Sequence, residues 1–198
     1  MIDVSLPSIR GSRVLLRPID SSDMRWLYLS TCSGDAQSLR WRFRGQTPSP
    51  ASFEPLLWAG VDVQFVMASL QSGGEPIGLV QLFNYEKRDS YAYLSVFIRS
   101  EYAHQGWPLE GLSLFVRYCY EVFPIRKLYL ETTAYNASQF SSSIGPIFEE
   151  EGRLKDHAFM AGEYHDLLIL SLSRDRWNEI RSVVLPDSIR AHSTDLPT

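Results

Sequence analysis

Between two β-like runs, the segment Leu109 to Phe123 carries apolar residues at Leu109, Leu112, Phe115, Val116, Cys119 and Val122, and Pro124 then closes it. Spacings of three and four residues place these side chains in one stripe on one helix face, and a stripe of that kind has to be covered by another layer. The flanking runs, Tyr91 to Arg99 and Arg126 to Thr133, are rich in aromatic and β-branched residues and read as strands. An amphipathic helix set between strands restricts the chain to helices packed on a sheet, the α/β (α+β) class.

The remaining elements fit around that unit. Arg13 to Ile19 reads as a strand, and Asp20, Ser21 and Ser22 supply capping chemistry for a helix through Met24, Trp26, Leu27 and Leu29. Gly45 to Pro55 is rich in Pro, Ser and Thr and reads as a loop over a cleft, with a short helix from Phe53 to Ala59. Val61 to Ser69 and Ile77 to Tyr85 form an antiparallel pair across Gln71-Ser72-Gly73-Gly74-Glu75, whose glycines tolerate the positive φ of a hairpin. Asn136 to Gly145 reads as a polar helix and Tyr164 to Leu172 as a core strand. The expectation is one domain over 1–178 with a mixed, mostly antiparallel sheet of about seven strands, then about one helical turn and a disordered tail over 179–198.

A net charge of -4 argues against a nucleic-acid partner, which needs a cationic surface. No stretch approaches the roughly 18 apolar residues of a membrane span, and Met1 to Arg13 lacks the pattern of a secretory leader, so the expected compartment is the cytoplasm, with no membrane partner. Cys32 and Cys119 have no histidines at ligand spacing and read as small apolar residues; no metal site is expected.

Several residues in order then carry a resemblance. They are Arg13-Val14-Leu15-Leu16-Arg17-Pro18, Glu101-Tyr102 leading into a loop with Gly106, Asn136 after the next strand, Phe148, Glu151-Gly152, Tyr164-His165-Asp166 and Trp177. This set resembles the GNAT superfamily of N-acetyltransferases, specifically the group that acetylates ribosomal-protein N-termini and related amines. The resemblance implies a GNAT fold, acetyl-CoA or another acyl-CoA as cofactor, and a small-molecule or peptide amine as acceptor. A homodimer is compatible with it.

It also implies site residues. The family's pyrophosphate loop, Gln/Arg-x-x-Gly-x-Gly/Ala, falls on Ala103, His104, Gln105, Gly106, Trp107 and Pro108, of which Gly106 alone matches. A turn that opens a helix presents free N–H groups and the positive end of the helix dipole to a phosphate. Pro108 has no N–H to give. His104 is a phosphate ligand when protonated or a plain loop residue, and Trp107 covers the cofactor or packs on the sheet. By position, Val96, Phe97 and Ile98 match the strand that offers backbone groups to the pantetheine arm. Asn136 matches a pantetheine ligand and is equally a helix N-cap.

Transfer from a thioester to an amine needs a neutral amine and a proton for the departing sulfur. The family's acid is often a tyrosine seven residues after the asparagine; here that position is Ser143, beside Ser142, and both remain candidates for a water relay. Glu101 is the first candidate base, followed by Glu86, Asp89, His165 and Asp166. Two other readings stay open: a GNAT-fold binding or regulatory protein without catalysis, and an acyltransferase whose donor is an acyl carrier protein.

Overall fold

The computed structural model describes residues 8–33, 41–102 and 107–185. Its strands are β1 (Ile9–Arg10), β2 (Val14–Arg17), β3 (Val61–Ser69), β4 (Glu75–Glu86), β5 (Tyr91–Ile98), β6 (Lys127–Thr133), β7 (Glu149–Met160) and β8 (Glu163–Ser173). The helices are α1 (Asp23–Cys32), α2 (Pro50–Trp58), α3 (Trp107–Val122), α4 (Ala134–Ala137) and α5 (Arg174–Val184), with 3-10 turns at Ser100–Tyr102 and Ser138–Ser143. The sheet runs β1-β2-β3-β4-β5-β6-β8-β7. Every neighbouring pair is antiparallel except β5 and β6, which α3 connects as a crossover. The architecture is the expected mixed, mostly antiparallel sheet flanked by helices. It has eight strands rather than about seven, because β1 is two residues long and leaves no alternation to read.

The sheet has a different partner on each face. On one, α3 lays Phe115 and Tyr118 against Phe65, and Gly111 comes so close that an added Cβ would stand 2.4 Å from the Met67 sulfur. Trp177 of α5 packs beside Tyr120 on the same side. On the other face Leu27, Trp41, Phe43, Phe53 and Leu57 cover Val66, Leu79 and Phe97. Among the described residues no helix is long and apolar enough to cross a membrane.

Three buried or half-buried ionic groups hold the helices on the sheet. Asp23, 1% exposed, accepts from both terminal nitrogens of Arg17 at 2.6 and 2.8 Å, from the Asp20 N–H and from the Trp26 indole at 2.9 Å, which fixes the start of α1 to the end of β2. Burial alone would raise its pKa, but the Arg17, Asp20 and Trp26 hydrogen bonds hold it below the usual carboxylate value. Of the capping expected of Asp20, Ser21 and Ser22, the Ser22 side chain makes no cap bond, while the Asp20 carboxylate accepts from the Ser22 N–H at 2.7 Å. Glu110, in the first turn of α3, accepts from the backbone N–H groups of Ser12 and Arg13, the Ser12 hydroxyl and Arg13 Nε. Arg174 donates to the carbonyls of Tyr120, Phe123 and Ile125 at 2.7 to 2.9 Å, satisfying orphan groups where α3 ends.

Several boundaries differ from the sequence reading: the polar helix expected over Asn136 to Gly145 is the short α4 (Ala134–Ala137) followed by the 3-10 turn Ser138–Ser143, and two further helices shift at one end. Helix α2 begins at Pro50 rather than Phe53, since the Ser49 hydroxyl caps it and proline suits a first turn. Helix α5 runs on to Val184, and Leu185 behind it is 2% exposed in the core. The tail expected beyond residue 185 lies outside the described residues.

Candidate functional site

Strands β5 and β6 start as neighbours and then part. Their parallel ladder covers Tyr91, Ala92 and Tyr93 against Lys127, Leu128 and Tyr129, and ends there. Beyond it β5 remains paired to β4 as far as Ile98, and β6 to β8 as far as Thr133. The edges of Leu94–Ile98 and Leu130–Thr133 that face each other are therefore unladdered, and the gap opens toward the C-terminal ends of both strands. Those ends lead into the 3-10 turn Ser100–Tyr102, the start of α3 and the short helix α4. Val96 and Ile98, with Ser95, are half-buried on the gap; Phe97 turns to the opposite helices and stacks on Trp41 at 4.6 Å.

Asn136 stands in α4, three residues past the end of β6. It is not the N-cap. Thr133 Oγ1 accepts from the Asn136 N–H at 3.3 Å and fills that role. The Asn136 side-chain oxygen is buried with no hydrogen-bond partner in the structure, a costly state for a carbonyl. An amide N–H arriving through the gap would satisfy it.

Of the loop residues, Ala103, His104, Gln105 and Gly106 lie outside the described residues. Trp107 opens α3 and packs on the core with its ring 6.1 Å from Tyr102, which favours the packing reading for that residue. Pro108 follows it in the first turn of α3.

A family model described as an acetyltransferase (GNAT) domain matches residues 13–141. The chain belongs to this GNAT acetyltransferase family. It is similar to YdaF of Bacillus subtilis (strain 168), provisionally named a ribosomal N-acetyltransferase, with 24% identity over 82% of this chain and 91% of the relative. Among solved structures, a spermidine N-acetyltransferase from Vibrio cholerae, in complex with CoA and spermine, superposes with a TM-score of 0.73 at 21% identity, covering 85% of this chain and 99% of the other. A GCN5-related N-acetyltransferase from Brucella melitensis gives 0.68 at 18% identity, covering 91% and 86%. These likenesses establish the fold.

Within this GNAT fold the candidate proton-transfer groups are spread out. Glu101 is exposed in the 3-10 turn, with Arg99 Nη2 at 2.7 Å. A bond from its own backbone N–H, with Arg99 and Ser100 alongside, holds its carboxyl below the usual range, which suits an anchor better than a base. Ser142 is exposed, whereas Ser143 is buried and its carbonyl accepts from Ile147 and Phe148 at the turn that follows. Asp166 accepts from the Asp156 N–H and pairs with Arg153, a structural role within the β7–β8 hairpin. His165 contacts the Met160 carbonyl.

Sequence reasoning passed over the residues facing α1 and α2 near the closed end of the gap. Gln64, Gln81 and Ser95 form a row across β3, β4 and β5, and Phe83, Tyr93 and Tyr129 form the next. Burial first, then the Glu131 charge and the neighbouring tyrosines, raise the Tyr93 pKa. The signal was present as period-two spacing, Tyr91/Tyr93 and Tyr129/Glu131, but alternation does not say which face meets a substrate.

Proposed function

We propose that this GNAT protein is an N-acyltransferase that moves an acyl group, acetyl in the simplest case, from CoA to a primary amine by direct attack. The observation that carries the reading is the partner-less, buried Asn136 oxygen beside the gap between β5 and β6. A polar atom in that state suits a ligand with an amide N–H, and the free strand edge of Ser95–Ile98 offers the backbone groups to align it.

Bound acyl-CoA would supply the activated acyl group as its thioester. Asn136 and the β5 edge would hold the pantetheine arm, and the N-terminus of α3 would face the pyrophosphate with fewer donors than usual, since Pro108 brings no N–H. The chain has serine rather than tyrosine at position 143, so Ser142 and Ser143 would reach a departing sulfur only through water. That is a mild demand on a thiol whose ordinary pKa is about 8.5. Acceptors would approach the gap from the face of Ser95 and Tyr93, both half-buried.

Pro108 favours a second reading: a donor without an adenosine diphosphate end, an acyl-carrier-protein thioester, would not miss the lost contact. Calorimetry with CoA, joined to a thiol-release assay with acetyl-CoA, acetylated carrier protein and a panel of amines, tests both. Release from acetyl-CoA at rates above those from the carrier protein supports the first reading. No CoA binding at millimolar concentration, with no release, overturns it.

A further inference from the structure

A cavity of about 500 Å³ adjoins the closed end of the gap, on the face that α1 and α2 share, and Phe83, Tyr91, Tyr93, Glu86 and Glu131 are among its lining residues. Strand alternation alone would turn Glu86 away from Phe83, three positions earlier. A bulge between them reverses that: Asn84 takes a φ of 52°, its N–H donates to the Gly60 carbonyl, and Glu86 pairs with Tyr91 where Phe83 pairs with Tyr93. Both residues therefore project to the same face. Tyr129 joins Tyr93 across the parallel ladder, and Glu131 follows two residues later on the same side of β6.

The rings form a continuous group. Tyr93 lies 5.7 Å from Phe83, 5.6 Å from Tyr129 and 6.1 Å from Tyr91, and Tyr91 stands at 80° to Tyr93 and 82° to Tyr129. Ring faces thus point in two directions, and each carries the negative side of an aromatic quadrupole. This group of rings already holds a cation, with Lys127 Nζ 5.6 Å from the Tyr129 centroid. That lysine is neutralised by Glu151. Glu86 and Glu131 are both exposed, and among the described residues neither has a cation within ion-pair distance. The pocket therefore offers π faces and two uncompensated negative charges.

We propose that this pocket holds a second positive charge of the acceptor, so that the preferred substrate is an amine carrying another ammonium a short chain away from the nitrogen that is acylated. The inference rests on the acyltransferase reading for the identity of the gap as the reaction site. Tyr93 both lines the pocket and forms the last rung before the strands part, so a ligand cation on the rings leaves its other end at the gap. An anion is repelled by Glu86 and Glu131, and a neutral chain gains nothing from them.

Two matched probes separate this from the underlying reading: pentane-1,5-diamine, and 5-aminopentan-1-ol, which keeps one amine and replaces the other with a hydroxyl. Calorimetric titration of the full chain should find the diamine about tenfold tighter, the order expected of a cation over a ring face with exposed carboxylates nearby. The double variant Glu86→Gln/Glu131→Gln, both changes at exposed positions, should bring the diamine to the level of the alcohol, and Tyr93→Leu should do so in part. Equal affinities in the wild type, no measurable binding of the diamine, or a preference that survives the double variant would each overturn the proposal. Thiol release from acetyl-CoA is followed in parallel. A binding preference without acyl transfer to either probe sinks the acyltransferase reading and leaves the cation site standing. Transfer to both probes with equal kcat/KM sinks the cation site and leaves the acyltransferase.

Discussion

Replacing Asn136 with leucine should have effects of opposite sign on stability and on cofactor affinity. The Asn136 oxygen is buried without a partner, and a buried, unsatisfied polar group costs about 1 to 3 kcal/mol. Leucine has a similar volume and removes that cost, while imperfect packing returns up to about 1.5 kcal/mol. The ligand-free protein should therefore keep its stability or gain about 1 kcal/mol, a rise of roughly 2 to 4 °C in Tm for a chain of this size. CoA affinity should fall about two- to tenfold, the loss of one neutral hydrogen bond worth about 0.5 to 1.5 kcal/mol. Asn136→Asp is the control: it keeps the acceptor but buries a charge, and should destabilise the free protein. Urea denaturation of the ligand-free variants and calorimetry with CoA at one ionic strength read both quantities. A leucine variant that loses more than about 1 kcal/mol while binding CoA as before would refute the reasoning, because the oxygen would then have a partner inside the free protein.

Other outcomes follow from the same contacts. Asp23→Ala breaks a buried pair and leaves Arg17 with the longer Asp20 contact and the Pro18 carbonyl, and should cost about 3 kcal/mol by urea denaturation; a loss under about 1 kcal/mol would contradict the anchoring role. Asp23 and Glu110 both have lowered pKa values in the folded state, so their stabilisation is present above the ordinary carboxylate value of about 4 and is lost as acid takes pH below it. The urea midpoint of the wild type should accordingly fall more steeply with acid than that of Asp23→Asn, and parallel curves would count against the link. Gly111→Ala should cost about 1 to 3 kcal/mol through its clash with Met67, and adding Met67→Ala should make the pair less harmful than the sum of the two single changes. Pro108→Ala restores an N–H in the first turn of α3 and should tighten CoA about ten- to a hundredfold; alanine is preferred over glycine because it adds less chain entropy.

The sheet and the main helix were legible because their patterns are long. The run Val61 to Ser69 was bounded to the residue, and the stripe from Leu109 to Val122 found α3 within two residues of its start, although Leu109 and Val122 at its ends are exposed and the buried face includes Gly111 and Leu114 instead. Helix α2 was cut short because prolines at 50 and 55 read as breakers, although the first sits where a helix tolerates it and the second is carried inside nine helical residues. Asn136 drew attention from the sequence, but its letter could not separate a cap from a ligand; the Thr133 hydroxyl, taking the cap position, removes the cap reading alone. Glu86 on the aromatic face was out of reach, since a bulge shifts the side-chain register and leaves no compositional trace beyond an asparagine with positive φ. Glu101 invited a catalytic reading by standing at the end of the central strand, and the bond from its own backbone N–H, with Arg99 and Ser100 beside it, shows why its carboxyl is held low.

The carboxylate of Glu110 reaches Ser12 and Arg13, partners 98 and 97 positions earlier in the chain. At about 5 to 20 residues per second, a ribosome delivers the second half of this contact roughly 5 to 20 s after the first, so β1 and β2 emerge as a segment that cannot close on its own. The apolar side chains of Val14 and Leu16, which end up fully buried, remain without α3 over them for that interval. In the finished protein the same contact makes opening cooperative. Fraying of β1 and β2 releases the first turn of α3, where a phosphate would be received, so the Ser12 and Arg13 amides and the early α3 amides should exchange with deuterium as one unit, and a ligand held at that turn should slow both together.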